Sequence, residues 1–176
     1  MILCVKVNTQ TQIQEGLYIN ADDIKKIRQC SDLKAAVEAE YLREYCLQKN
    51  KSFTFETVLS TRRNLDMLIR AKQAGYYIMS IFIMTTDPEI NVFRVKSRVS
   101  DGGHDVPPDK IRKRYYKSPQ NLGELISLSD KCRVYDNTIE PQIIFYKDEY
   151  GQSIYENLYW SNERIKRLVE TPYNTL

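Results

Sequence analysis

Tyr76-Tyr77-Ile78-Met79-Ser80-Ile81-Phe82-Ile83-Met84, followed at once by Thr85-Thr86-Asp87-Pro88, decides the class of fold. The first stretch is a near-continuous apolar and aromatic run rich in strand-forming residues, as a strand buried on both faces would be. It is too short to span a bilayer and contains a serine. Asp87-Pro88 then supplies a helix cap with proline at the first helical position. A buried strand that feeds directly into a helix is one half of a strand–helix–strand unit, so the neighbouring sequence should repeat it.

It does so on both sides. Upstream, a helix from about Thr61 carries Leu65, Leu68 and Ile69 and should stop at Gly75, a residue suited to the left-handed position after a helix. Before it, Phe53-Thr54-Phe55 reads as a short strand running into Glu56. Ser31/Asp32 can cap a helix to about Lys49, whose apolar positions Leu33, Val37, Tyr41 and Tyr45 step by four, with Leu42 and Cys46 beside them. Gly16 to Asn20 reads as a strand with a polar end. Downstream, the helix begun at Pro88 runs to about Val99 and breaks at Asp101-Gly102-Gly103. Ser118-Pro119 signals a second start, for a helix through Leu122, Leu125 and Ile126, and Lys131 to Tyr135 is a strand ending at Asp136-Asn137. Past Pro141, the runs 142–147 and 153–156 resemble a hairpin, and 161–169 an amphipathic helix.

This order predicts one α/β domain over 1–176. Its expected form is a parallel sheet with helices on both faces, closed by a C-terminal β-hairpin and helix. Ligands of such sheets sit beyond the carboxyl ends of the strands. The residues to read are therefore Asn20-Ala21-Asp22-Asp23, Glu56-Thr57, Thr85-Thr86-Asp87 and Asp136-Asn137.

Composition narrows the function classes. At 176 residues, 42% apolar and 28% charged, the chain is neither disordered nor membrane-embedded. Cys4, Cys30, Cys46 and Cys132 are scattered without a C-x-x-C pair, which points to reduced thiols and a cytoplasmic protein. The net charge of +3 is uneven: residues 94–117 hold eight Lys/Arg against three Asp. One basic segment on a slightly acidic body fits a local anionic ligand rather than a nucleic-acid coat.

The polar strand ends belong to motifs in a fixed order. Tyr18-Ile19-Asn20-Ala21-Asp22-Asp23-Ile24 precedes Phe53-Thr54-Phe55-Glu56-Thr57-Val58-Leu59-Ser60. Then follow Arg94-Val95-Lys96-Ser97-Arg98-Val99, Gly102-Gly103-His104-Asp105-Val106-Pro107, Lys110-Ile111-Arg112-Lys113-Arg114-Tyr115 and Val134-Tyr135-Asp136-Asn137-Thr138. From residue 17 to about 138 the chain resembles the zeta-toxin family, and the Gly-Gly-His block with its following Lys-Ile-x-x-Arg-Tyr is the most specific part. The resemblance implies a P-loop kinase fold that moves a phosphoryl group from ATP, with Mg²⁺, to a hydroxyl. In the characterised branch that hydroxyl is on the sugar of UDP-N-acetylglucosamine, and the toxins pair with antitoxin proteins.

By the same resemblance, Asp22 is the catalytic aspartate that orients the hydroxyl and takes its proton. The competing reading is a helix cap. Glu56 and Thr57 would line the acceptor pocket. Arg98, with Arg112 or Arg114, would stabilise the charge of the transferred group from a lid hinged at the glycines. Arg94 and Lys110 are further phosphate contacts, and Asp136-Asn137 lies where such kinases hold the nucleotide base, although turn formation explains that pair equally well. His104 shapes the lid loop; with no accompanying ligand cluster, no metal site is expected from the side chains.

One departure stands out. ATP-dependent members of the family open with a strand, the loop G-x-x-x-x-G-K-S/T and a helix. The sixteen residues before Leu17 contain only Gly16 and no Gly-Lys pair. The expectation is a phosphate loop and first strand that are missing or degenerate. Met1 to Gln14 is read as a remnant of the following helix, with Ile2 to Val7 as an imitation of the strand the alternative. The chain as given should then bind ATP poorly. A truncated or defective kinase and a non-catalytic binding or decoy protein remain the two readings.

Overall fold

The computed structural model describes residues 2–8, 16–100, 103 and 105–170, with the backbone alone considered over 2–8. In chain order the elements are β1 (Ile2–Asn8), β2 (Leu17–Ile19), α1 (Ala21–Arg28), α2 (Asp32–Gln48), β3 (Phe53–Thr57), α3 (Arg63–Gln73) and β4 (Tyr77–Met84). Then come α4 (Pro88–Ser100), α5 (Pro108–Lys117), a 3₁₀ turn at Pro119–Asn121, α6 (Leu122–Leu128), β5 (Lys131–Asp136), β6 (Gln142–Asp148), β7 (Gly151–Ile154) and α7 (Asn162–Glu170). Among the described residues, seven strands form one sheet in the order β2-β3-β1-β4-β5-β6-β7.

The sheet is mixed: the strands expected to run parallel between residues 17 and 136 do so, and antiparallel strands join them. β2 with β3 and β4 with β5 are parallel, but β1, between β3 and β4, is antiparallel to both. Leu3 pairs with Thr57 on one side and Phe82 on the other. Over Ile2–Asn8 the helix-remnant reading is thus overturned in favour of a strand, and that strand runs opposite to its neighbours. A short, mostly apolar segment between two strand edges that would otherwise stay open satisfies their backbone donors and acceptors as a strand, which a helix there would not. β6 and β7 form the expected hairpin, also antiparallel, with Phe145 opposite Ile154.

The core lies along one face of the sheet. In β4, Ile78, Ser80, Phe82 and Met84 are buried while the alternate residues are half-buried, so this strand is less enclosed than its unbroken apolar run suggested. Phe53 and Phe55 of β3 and Cys132 and Val134 of β5 continue the layer. Leu65 and Leu68 of α3 and Leu122 and Leu125 of α6 join it from the helices. Arg62 closes the α3–α6 contact with two bonds to Glu124, at 2.6 and 2.7 Å.

Local signals explain the element ends. Asp87 caps α4, its Oδ1 accepting the Glu89 amide at 2.8 Å. α3 stops where expected: Gly75 takes φ +81° and its amide reaches the Lys72 carbonyl, while the Tyr76 amide reaches that of Ala71. Gly16 is required by contact, since a Cβ there would lie 2.4 Å from the Ser52 backbone. Helix α2 holds a reversal. Its four-step stripe of Leu33, Val37, Tyr41 and Tyr45 faces outward, and Ala35, Ala39 and Cys46 are the buried side. Cys46 and Cys132 are buried free thiols and Cys30 is half-buried; burial pushes the Cys132 thiol up to about 11, which makes it inert. Among the described residues, no helix is long and apolar enough to cross a membrane.

Candidate functional site

Because β2, β3, β4 and β5 run in one direction, their carboxyl ends gather at one edge of the sheet. Parallel pairing of Ile19 with Phe55 sets the residues that follow, Asn20 and Glu56, side by side. The Asn20 Nδ2 donates to the Tyr18 hydroxyl at 3.0 Å and reaches Glu56 Oε2 at 3.5 Å. Its Oδ1 accepts the backbone N–H of Asp22 at 2.8 Å, which makes Asn20 the cap of α1. The cap reading of Asp22 is therefore corrected. Asp22 and Asp23 sit in the first helical turn, exposed, where the helix dipole favours a carboxylate.

Thr57 ends β3 half-buried, and its Oγ1 accepts from Asn64 Nδ2 at 2.8 Å and from the Leu59 amide at 3.5 Å. Both bonds fill acceptor positions, so the hydroxyl proton is left to point elsewhere. The loop after it is held from the far side. Ser118 Oγ bonds the Val58 carbonyl at 2.6 Å and Asn121 Nδ2 the Leu59 carbonyl at 2.8 Å. Ser118 thus clamps a loop instead of capping a helix, as its sequence context had suggested.

The basic residues form a second group, on α4 and α5. Arg94 donates to the carbonyls of Asn137 and Thr138, at 2.7 and 3.1 Å, and so fastens α4 to the end of β5. Arg112 makes two bonds to Glu89, at 2.6 and 3.0 Å, and a third to Asp109. Glu89 holds the Arg112 guanidinium well above its ordinary range, and Arg112 in turn lowers the Glu89 carboxyl. Arg98 packs against Gly103, whose amide bonds the Arg98 carbonyl; a Cβ on Gly103 would lie 2.6 Å from the Arg98 side chain. Arg114 is half-buried and Lys110 exposed on α5. His104 and Gly102 lie outside the described residues. Tyr115 ties α5 to β4 by donating to the Thr85 carbonyl at 2.9 Å, and burial pushes its phenol up to about 12.

Asp136 is buried, its carboxylate accepting from the Thr138 amide and hydroxyl and from Asn157 Nδ2 at 3.0 Å. The Asn137 amide bonds the Met84 carbonyl. Both residues serve the turn that leads from β5 into β6, and the Asn137 bond holds that turn against the end of β4. Of the expected site residues, then, Asp22, Glu56 and Thr57 share one end of the sheet, and Arg94 meets Asn137 through its carbonyl. Arg112 is taken up by Glu89. Reading the sequence missed Asn64 and Glu89 and gave no role to Tyr18 and Asn20, although both lie inside the quoted motif and their polarity beside Asp22 was the available signal.

Among the described residues, ATP and Mg²⁺ do not find a fitting donor set. Among the described residues, no group of three or more His, Cys, Asp or Glu side chains stands close enough to hold a metal ion. In the central position, β1 starts at the polar edge and runs away from it, so no strand-to-helix turn brings its amides to that edge. The 280 Å³ cavity that opens nearby is between α4 and α5, lined by Val92, Lys96, Val99, Asp105, Val106 and Ile111, and is largely apolar.

Comparison with known proteins gives one family. The family model described as Zeta toxin matches residues 7–157, most of the chain. A protein of Haemophilus influenzae described as uncharacterized is 31% identical over 85 residues, covering 48% of this chain and 61% of that protein. The chain therefore matches less than two-thirds of that relative's length. No solved structure matches.

Proposed function

The chain belongs to the zeta-toxin family, and from that premise we propose that it is a zeta-toxin-type phosphotransferase whose described site is the acceptor side of the reaction. In this reading Glu56 and Thr57 hold the sugar of a nucleotide such as UDP-N-acetylglucosamine, and the Asp22 carboxylate accepts a hydrogen bond from the hydroxyl to be modified. The observation that carries it is the meeting of Asn20 with both Glu56 and the start of α1 at adjacent strand ends. A carboxylate pair facing solvent at such an edge suits hydroxyl recognition, because ionised carboxylates are strong acceptors.

Phosphoryl transfer also needs positive charge around the transferred group. Arg94 and Arg112 are bonded to the protein itself, and the central strand provides no phosphate cradle. Those two features favour a second reading, a non-catalytic sugar-nucleotide-binding or decoy protein of a toxin–antitoxin pair in the cytoplasm. Titration of UDP-N-acetylglucosamine into the purified chain, with and without ATP and Mg²⁺, separates the two. The acceptor reading expects binding that Glu56→Gln weakens at least tenfold, about 1.4 kcal/mol. A phosphorylated product abolished by Asp22→Ala supports the phosphotransferase; binding without product supports the second reading. Absence of binding by the wild-type chain sinks the acceptor assignment itself.

A further inference from the structure

Asn20 makes more bonds than a cap requires. Capping α1 uses only its Oδ1, and serine, threonine or aspartate could do the same. None of these has the two amide protons, and both are engaged: one on the Tyr18 hydroxyl at 3.0 Å, the other directed at Glu56 Oε2 at 3.5 Å. Tyr18 on β2 and Asn20, which continues it in extended conformation, are two apart and lie on the same face of the sheet. The parallel register brings Thr54 and Glu56 to that face beside them, while Ile19 turns into the core. The Tyr18 hydroxyl accepts from Asn20, and the nearby Glu56 carboxylate acts on the phenol electrostatically. The Asn20 amide thus links phenol and carboxylate on an exposed edge and joins both to the helix that bears Asp22.

Resting on the acceptor reading above, we infer that Asn20 and Tyr18 are positioning residues: they fix the Glu56 carboxylate relative to Asp22, so that the two acidic groups meet one sugar nucleotide in a set geometry. The Tyr18 phenol reports this arrangement. The Asn20 bond lowers its pKa, while burial and the neighbouring Glu56 and Asp23 raise it, and the upward influences prevail. Asn20→Ser keeps a capping oxygen and removes the amide donors, which separates the cap from the positioning role.

The experiment follows the Tyr18 ring carbon by ¹³C NMR through a pH titration, its signal assigned by Tyr18→Phe, and measures UDP-N-acetylglucosamine affinity on the same samples. Asn20→Ser should raise the Tyr18 pKa further, and Glu56→Gln should return it toward the ordinary value of about 10. Asn20→Ser should also weaken UDP-N-acetylglucosamine about tenfold while leaving the melting temperature within a few degrees of wild type. Asn20→Asp, which caps but cannot donate, should behave as the serine variant does. A Tyr18 titration indifferent to both Asn20→Ser and Glu56→Gln overturns the inference, whatever the affinities. So does wild-type affinity in Asn20→Ser, since Glu56 then needs no positioning. If the Tyr18 shifts occur but wild type binds no UDP-N-acetylglucosamine, the Asn20 link between Tyr18 and Glu56 stands and the acceptor assignment alone is lost.

Discussion

At the scale of single residues, the bond that most changes the reading is Glu89 to Arg112. The resemblance offered Arg112, or Arg114, as the partner of Arg98 in stabilising the transferred group from a lid. The partner that Arg112 takes, Glu89, lies 23 residues earlier, on the first turn of α4, and nothing in the local sequence announces the pairing. Aspartates and asparagines at strand ends were legible for a different reason: the polarity that follows each strand is a local signal. The ion pair carries a pH signature. Arg112 depresses the Glu89 carboxyl in the folded chain, so its contribution is present above the unfolded glutamate pKa of about 4.3 and fades as pH falls through the lower folded value. Carboxylate NMR should therefore find Glu89 titrating below an ordinary glutamate, and Arg112→Gln should restore the ordinary midpoint. Both groups face water, and no large loss of stability should accompany the substitution. An unshifted Glu89 in the wild-type chain would show that Arg112 is not held there.

At the scale of elements, α2 shows where periodicity stops being informative. Leu33, Val37, Tyr41 and Tyr45 step by four, so they share a face, and a helix over this segment was readable from that alone. Which face meets the sheet was not, since the opposite side, Ala35, Ala39 and Cys46, is apolar too but small. Small side chains let α2 lie close on its neighbours; the bulky stripe would hold it away. Leu33 is 75% and Tyr41 66% exposed, against 1% for Ala35 and 2% for Ala39. Opposite outcomes follow for substitutions on the two sides. Leu33→Ala and Val37→Ala, at the surface, should change the unfolding free energy by no more than about 0.5 kcal/mol. Ala39→Leu, forcing extra methylenes into a filled contact, should lower it by about 1–3 kcal/mol. Urea denaturation of the three variants measures both, and a larger loss from Leu33→Ala than from Ala39→Leu would mean the stripe is the packed side.

At the scale of the whole molecule, the alternation of strand and helix from residue 17 to 136 specified the parallel set β2 to β5, because each strand and each helix carries its own apolar pattern and end signals. The place of β1 was not specified that way. A strand's direction in a sheet depends on what its neighbours leave unpaired, and the two neighbours of β1 belong to segments some fifty and eighty residues further on. Yet β1 is what joins the sheet. β3 and β4 make no ladder with each other, so among the described residues the ladders of β2-β3 and β4-β5-β6-β7 are joined through β1. Val5 stands at the centre of that junction, opposite Phe55 on one side and Ser80 on the other. Proline there removes a ladder N–H from a strand with two partners, at about 3 kcal/mol or more. Against a net stability of about 5–15 kcal/mol, such a loss should lower the thermal midpoint by many degrees and leave a fraction of chains unfolded at 37 °C. Since β1 ties the two parts of the sheet into one cooperative unit, amides of β3 and β4 should also lose hydrogen-exchange protection together in Val5→Pro. If the midpoint stays at the wild-type value and protection of Phe55 and Ser80 is unchanged, the central position is not filled by Ile2–Asn8, and the connection between the two halves must be sought elsewhere in the chain.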